Sequence, residues 1–217
     1  MAAPAADGFA VLVLAAGSGA RYGDTKQLAT VGDRPLVAHA VATALDAGAE
    51  PVVVVVGHDA ERVAAAARVA GQVEVVVNPA HRRGQASSLS AGIGALTSHP
   101  DVEVAVVLLA DQPGVTPAAV RAVATALGRV RGPGGARPDA ARASYADGLG
   151  HPVAFRRPAW ARLRSLTGDV GARHLLEDLE VVHVELPGGV PADVDTPHDL
   201  RRLQARREPG GSAGGGN

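Results

Sequence analysis

The chain has no cysteine, and its 217 residues include only two phenylalanines, two tyrosines and one tryptophan. Without cysteine there is no disulfide framework and no thiolate-held metal, which fits a reducing, cytoplasmic setting. With so few aromatic side chains, any recognition of a nucleobase has to rest on polar and main-chain contacts rather than stacking. Neither charge sign is in excess: 21 Lys and Arg stand against 22 Asp and Glu, for a formal net charge of −1. That balance lacks the basic footprint of a nucleic-acid binder and the polybasic patch of a membrane-surface protein, so the expected partner is small. No apolar run approaches the roughly 20 residues of a membrane-spanning helix. Residues 8–20 begin like a secretory apolar segment, yet no Lys or Arg precedes them and they run directly into Arg21 and Lys26. A buried strand in a soluble protein is the better reading.

What the chain does have is enough apolar sequence, 47% of residues, to bury one sizeable core in a single domain. Short aliphatic runs at 9–14, 52–56, 73–77 and 104–109 end in Gly, Asn-Pro or Asp, the pattern of parallel strands buried on both faces. Helical stretches at 35–47, 59–70 and 85–96 alternate with them. The rhythm predicts a doubly wound α/β fold with a mostly parallel sheet. Further on, the sequence predicts a helix at 117–130, a mobile loop at 131–139, and two strands within 142–155 that turn near 147–150. Helices at 158–165 and 170–179, a strand at 181–186 and a last helix at 196–207 follow, and 208–217 is expected to be a disordered tail.

In such sheets ligands bind beyond the carboxyl ends of the strands. After the first run comes Gly17, Ser18, Gly19, Ala20, Arg21, Tyr22, Gly23 and then Lys26, a loop whose main-chain N–H groups and two cations suit phosphate. As a loop lysine, Lys26 is expected to be exposed. A P-loop begun at Gly17 needs glycine where Tyr22 stands, and one begun at Gly19 needs it at Asp24; the dinucleotide fingerprint also fails at Tyr22. Asp59 sits near the place of a ribose-binding acid, but with that first loop a dehydrogenase is disfavoured. After the fourth run, Asp111 can hold Mg²⁺ beside a bound phosphate or cap the next helix. The acidic stretch 192–200 adds Asp193 and Asp195 as candidate ligands, while Thr196-Pro197 reads as a helix start.

Taken together, "LAAGSGARYG" with Lys26, "DQP" at 111–113 and "DVDTP" at 193–197 resemble the MobA-like nucleotidyltransferases, a Rossmann-like fold. "GQASSLSAGI" at 84–93, "GHPVAF" at 150–155 and "GDVGAR" at 168–173 resemble, more narrowly, the molybdenum cofactor cytidylyltransferases. Tyr22, where many relatives carry methionine, and Gln85-Ala86 depart from the pattern. The resemblance implies transfer of CMP from CTP to the terminal phosphate of molybdopterin, with release of pyrophosphate and Mg²⁺ as cofactor. It implies a nucleotide-binding half over about 9–111 and an acceptor-binding half over about 112–207. Lys26, Arg21 and Asp111 would be catalytic, and Asp111 with Asp195 would hold the metal. Leu14, Ala15, Ala16, Gly17, Ser18, Gly19, Arg21, Lys26, Gly84 and Ser88 would bind the nucleotide, and His151, Asp169 and Arg173 the acceptor. A molybdoenzyme or its maturation chaperone is the implied protein partner.

Ala16 stands where guanylate-transferring relatives have glycine, which implies a preference for CTP. His39, His99, His174 and His183 read as packing or surface groups, Arg82 and Arg83 as solvated in preference to touching the nucleotide or acceptor, and Ser87 and Ser88 as helix-start hydroxyls within reach of a nucleotide. Other readings stay open: a nucleotidyltransferase of the same fold that uses GTP or a sugar-phosphate acceptor, and a silent nucleotide-binding homologue, which has no reason to keep both Asp111 and Asp195.

Overall fold

Valine- and leucine-rich runs form the middle of a seven-stranded sheet in the computed structural model, which describes residues 8–19, 22–129, 135, 137–168 and 172–207. The strands are β1 (Phe9–Ala15), β4 (Val52–Val56), β5 (Glu74–Val77), β6 (Val104–Leu109), β7 (Ala140–Tyr145), β8 (Gly148–Arg156) and β9 (Val181–Glu185). A two-stranded ribbon, β2 (Thr30–Val31) with β3 (Arg34–Pro35), stands apart and has no counterpart in the sequence reading, being too short for a period to show. The sheet order is β5-β4-β1-β6-β8-β7-β9; β5, β4, β1 and β6 are parallel, and β8 runs against both β6 and β7.

The chain leaves β1 toward β4 on one side and returns to β6 on the other, so the strand order reverses between β1 and β6. A crevice opens there beyond the strand ends. The doubly wound prediction holds, with β8 as its antiparallel member. Strands β1, β4 and β6 match the predicted runs closely. The run at 73–77 does not lie buried on both faces as expected: β5 is an edge strand, and Val77 is 59% exposed because nothing pairs beyond it.

Side chains of the central strands alternate between two cores, as a period of two requires. Val11, Val13, Val54 and Leu108 pack on α1 (Leu36–Asp46), α2 (Ala60–Arg68) and α4 (Pro117–Arg129). Leu12, Val53, Val55 and Val107 pack on α3 (Gln85–Leu96), α5 (Trp160–Arg164) and α6 (Arg173–Glu177). A small third cluster of Val31, Leu36 and Val194 ties the ribbon and the segment after β9 to α7 (Pro197–Arg207). The helix predicted over 170–179 is described only as α6, and the predicted mobile loop and tail fall largely outside the described residues.

Helix α3 lies close on the sheet at one position. A Cβ on Gly92 would stand 2.1 Å from Leu12 Cδ1 and 2.8 Å from Val55 Cγ2, whereas one on Gly94 would meet nothing within 4 Å. Leu12 and Val55 are both fully buried and cannot swing aside. Gly92→Val is therefore expected to cost at least about 2 kcal/mol through overpacking. Gly94→Ala is expected to gain up to about 1 kcal/mol of helix propensity. Thermal unfolding should show a fall of at least about 4 °C for the first and a level or raised Tm for the second. A Gly92→Val protein as stable as the parent would show that α3 does not approach the sheet this closely.

Candidate active site

The loop after β1 is shaped by its glycines. Gly19 has φ +60°, and a Cβ there would come within 2.5 Å of the Asp24 carbonyl oxygen, so only glycine fits without strain. Its carbonyl accepts from the N–H of Tyr22 at 2.8 Å. Gln27, 3% exposed, donates from Nε2 to the Gly17 carbonyl at 2.9 Å. Thr25 donates to the Asp59 carboxylate at 3.1 Å, and Arg62 donates to the same oxygen at 2.7 Å. Asp59 is thus an anchor for this loop and not a ribose ligand.

Lys26 opens a short 3₁₀ turn, Lys26–Leu28, that aims its side chain inward. Its Nζ donates to Asp111 Oδ2 at 2.5 Å and to Asp195 Oδ1 at 2.9 Å. The expected exposed loop lysine is in fact only 15% exposed at its side chain. Burial alone would lower its pKa, but the charge and hydrogen bond of Asp111, joined by those of Asp195, outweigh it and set the pKa above the ordinary lysine value. Lys26 is held as a cation between two carboxylates.

Asp111 follows β6 after Ala110 and does not cap α4, since Thr116 Oγ1 accepts the Ala119 N–H at 3.2 Å in that role. The Val194 N–H donates to the Asp111 carbonyl at 2.9 Å, tying together the main chains that carry Asp111 and Asp195. Val194, 2% exposed, seats the acidic segment in the third core cluster. Asp193, one residue before it, accepts from Gln112 Nε2 at 2.7 Å, and burial raises its pKa. The carboxylate of Asp199 accepts from the N–H groups of Thr196 at 2.9 Å and Asp195 at 3.3 Å, a helix cap that steadies Asp195 from behind. Hydrogen bonds from Thr196, chiefly that of its hydroxyl, lower the Asp199 pKa. Of the two candidate ligands in this motif, Asp195 reaches the cavity and Asp193 is engaged elsewhere.

These groups open on a cavity of about 620 Å³. Among the predicted residues Leu14, Ala16, Gly17, Ser18, Gly19, Lys26, Gly84, Ser88, Asp111 and Asp195 line it. Ala15 does not: strand alternation turns it into the opposite core, where it is 1% exposed. Arg21 and Asp169 lie outside the described residues, as does the Arg173 side chain, although its backbone begins α6. His151 lines a second, neighbouring cavity of about 350 Å³.

Several contributors were not foreseen. Asn78, 3% exposed, donates from Nδ2 to Ser87 Oγ at 2.9 Å and Ser88 Oγ at 3.0 Å, and accepts the Ala80 N–H at 2.9 Å. It braces the loop from β5 to α3, and its signal in the sequence was an Asn-Pro directly after a strand. Ser87 is occupied with the carbonyls of Ala80 and Gly84 and does not line the cavity, whereas His81, Arg82 and Gln85 do. His39 donates from Nε2 to the Val31 carbonyl at 2.8 Å and His99 pairs with Glu74, structural places as expected.

Two carboxylates on separate loops, converging on one cation beside a glycine loop, fit a divalent ion of the Mg²⁺ type that completes its shell with phosphate oxygens and water. Asp111 and Asp195 would hold it. No trio of His, Asp or Glu that could hold a metal occurs among the described residues, so bound phosphate would have to supply the remaining ligands.

A model of the MobA-like NTP transferase domain matches residues 11–184. The nicotine blue oxidoreductase of Paenarthrobacter nicotinovorans is 35% identical over 204 residues, 88% of this chain and 94% of that protein. The bifunctional IPC transferase and DIPP synthase of Rubrobacter xylanophilus is 35% identical over 222 residues, 90% of this chain but 51% of that protein, so the chain spans about half the length of this relative. Rv0371c from Mycobacterium tuberculosis H37Rv has a similar crystal structure, with TM-score 0.78 and 33% identity over 93% of this chain and 99% of that one. The same protein has also been crystallised in complex with manganese, at TM-score 0.73.

Proposed function

We propose that this chain, which belongs to the MobA-like NTP transferase family, is a divalent-metal-dependent nucleotidyltransferase that moves CMP from CTP to the terminal phosphate of a molybdopterin-type acceptor. The observation that carries the reading is Lys26 held between Asp111 and Asp195 on the wall of a cavity whose other side is the glycine loop. In the reaction an oxygen of the acceptor phosphate attacks the α-phosphorus. The bond from that phosphorus to the bridging oxygen breaks, and its electron pair leaves with pyrophosphate. The nucleophile is already anionic, so no general base is needed; the barrier lies in charge repulsion and in-line alignment.

The chain's own groups address both. Main-chain N–H groups of the loop at Gly17, Ser18 and Gly19 bind the β- and γ-phosphates, and Arg21 adds charge at the end of that loop. When phosphate arrives, the Lys26 ammonium can turn from the carboxylates to the leaving pyrophosphate oxygens, where negative charge accumulates. Asp111 and Asp195, freed of the lysine, would then hold a divalent ion such as Mg²⁺, which would supply positive charge against the repulsion among phosphates. His151, Asp169 and Arg173 belong to the acceptor side. A molybdoenzyme or its chaperone would receive the product, and the setting would be cytoplasmic.

The test is to incubate the protein with each NTP, Mg²⁺ and molybdenum-loaded molybdopterin and to measure pyrophosphate. Acceptor-dependent pyrophosphate, greatest with CTP, is expected. A hydride-transfer enzyme produces none, so its absence with every NTP would overturn the proposal.

The CTP preference rests on Ala16, which is 4% exposed, packs in the core beneath β1 and also lines the cavity. Its methyl takes up space that glycine would leave to a purine, an effect of about 1–3 kcal/mol. Ala16→Gly is expected to shift the ratio of kcat/KM for CTP over GTP by about tenfold or more toward GTP. An unchanged ratio would show that the methyl only packs, and equal use of both nucleotides by the parent would remove the cytidylyl assignment.

A further inference from the structure

Asp59 opens α2, where an aspartate ordinarily stands in extended backbone and caps the helix by accepting one of its first N–H groups. It does neither. Its backbone is left-handed, with φ +50°, the one such non-glycine residue among the described residues, and its carboxylate makes no cap hydrogen bond. The carboxylate reaches instead to Thr25, 34 residues earlier and 4% exposed, whose hydroxyl donates to it at 3.1 Å. An aspartate held in an unfavourable backbone, away from its own helix, is kept there by the distant contact and not by local preference. The same short segment also grips the far end of the glycine loop, since the His58 N–H donates to the Ala16 carbonyl at 3.3 Å. Residues 58 and 59 thus bracket the loop, at Ala16 where it begins and at Thr25 where it passes into Lys26.

We propose that Asp59 is a positioning residue for the transfer step: through Thr25 it fixes the start of the Lys26–Leu28 turn, and so holds the Lys26 ammonium between Asp111 and Asp195. The proposal rests on the nucleotidyl-transfer reading, in which that ammonium answers charge on the leaving pyrophosphate. Thr25 is the residue that opens the turn, and its hydroxyl too is turned away from the turn's own N–H groups. Two side chains placed to cap their own helices bind each other instead, and this makes one joint between α2 and the turn. A rotation at the joint is carried to Nζ through one backbone step and the lysine side chain. Nζ meets both carboxylates within 3 Å, and a displacement of about 1 Å is enough to lose such contacts. Arg62 also donates to the Asp59 carboxylate, at 2.7 Å, but its side chain is 65% exposed and adds little to the joint.

The experiment compares the parent with Asp59→Gly, Asp59→Asn, Thr25→Val, the double variant of Asp59→Gly with Thr25→Val, and Arg62→Ala, each followed first by thermal unfolding. Glycine adopts left-handed backbone without strain, so Asp59→Gly is expected to keep a Tm within about 4 °C of the parent. Its kcat with CTP, Mg²⁺ and molybdopterin is expected to fall about tenfold, with the KM for CTP changed less than about threefold. Without nucleotide, Mn²⁺ should bind it at least about twofold more tightly, because a loosened lysine competes less well for the carboxylates. Thr25→Val should do the same, and carries the same readouts should Asp59→Gly unfold. The double variant should be no worse than either single, since one joint is lost only once. Asp59→Asn suits the backbone and still accepts from Thr25, and Arg62→Ala leaves the joint whole, so both should stay within about twofold of the parent. Parent-like kcat and Mn²⁺ affinity in a folded Asp59→Gly protein, losses that multiply in the double variant, or a kcat that falls only in step with Tm would overturn the positioning role. Tighter Mn²⁺ binding by Asp59→Gly and Thr25→Val, with no pyrophosphate from any NTP even in the parent, would leave the joint standing and remove the transfer reading instead.

Discussion

Lys26→Ala is expected to lower kcat/KM for nucleotidyl transfer by about two orders of magnitude or more, and in the same protein to tighten binding of Mn²⁺ in the absence of nucleotide. The two effects have opposite sign because Lys26 does two things. In the structure its ammonium occupies both carboxylates, Asp111 at 2.5 Å and Asp195 at 2.9 Å, so a divalent ion entering alone must displace a paired cation whose raised pKa keeps it charged. Removing the lysine leaves the two acids facing each other. Their mutual repulsion then favours any cation, and Mn²⁺ observed by electron paramagnetic resonance should bind several-fold more tightly. During transfer the same residue is missed, because its ammonium stands beside both carboxylates and can answer the charge that develops on pyrophosphate. The fold should persist: the Asp111 and Asp195 side chains are 19% and 32% exposed, enough for water to solvate them once the lysine is gone. Parent-like turnover in a folded variant would remove Lys26 from the catalytic assignment. Weaker Mn²⁺ binding would show that the carboxylates do not form the metal site.

The difference between what the sequence foretold and what the structure adds lies in the range over which each signal acts. Strands β1, β4 and β6 were legible because a strand buried on both faces has to be apolar at every position, and that leaves an uninterrupted run. The loop after β1 and Asp111 were legible because strand ends in such a sheet are where ligands bind. The edge position of β5 was not, since Val75, Val76 and Val77 look alike whether or not a neighbour covers them. Ala15 was placed with the nucleotide as a member of the LAAG motif, and the strand's alternation sends it to the opposite core. Lys26 was taken as exposed because its partners lie 85 and 169 residues away, beyond the reach of any local pattern. Asn78 was missed for the same reason: its importance arises only when β5 meets α3.

Asp111→Asn and Asp195→Asn are each expected to abolish metal-dependent turnover to within about a hundredth of the parent rate, and the double variant should be little worse than either alone. The argument is one of shared function. Both carboxylates lie within 3 Å of a single Nζ, they approach from separate loops joined by the Val194 N–H to Asp111 carbonyl bond of 2.9 Å, and both face the cavity beside the glycine loop. If they hold one ion, losing either ligand loses most of what that ion contributes, and losing the second has little left to remove. Two carboxylates acting separately would give losses that multiply. Asp193→Asn serves as the internal comparison, because its carboxylate is engaged by Gln112 at 2.7 Å and does not line the cavity. It should cost about tenfold at most, through a less firmly held segment. Measuring kcat/KM across a Mg²⁺ titration for the three single variants and the double decides the matter. Multiplicative losses would contradict a shared metal, and a larger loss at Asp193 than at Asp195 would move the second ligand two residues upstream while leaving the Asp111 side of the site in place.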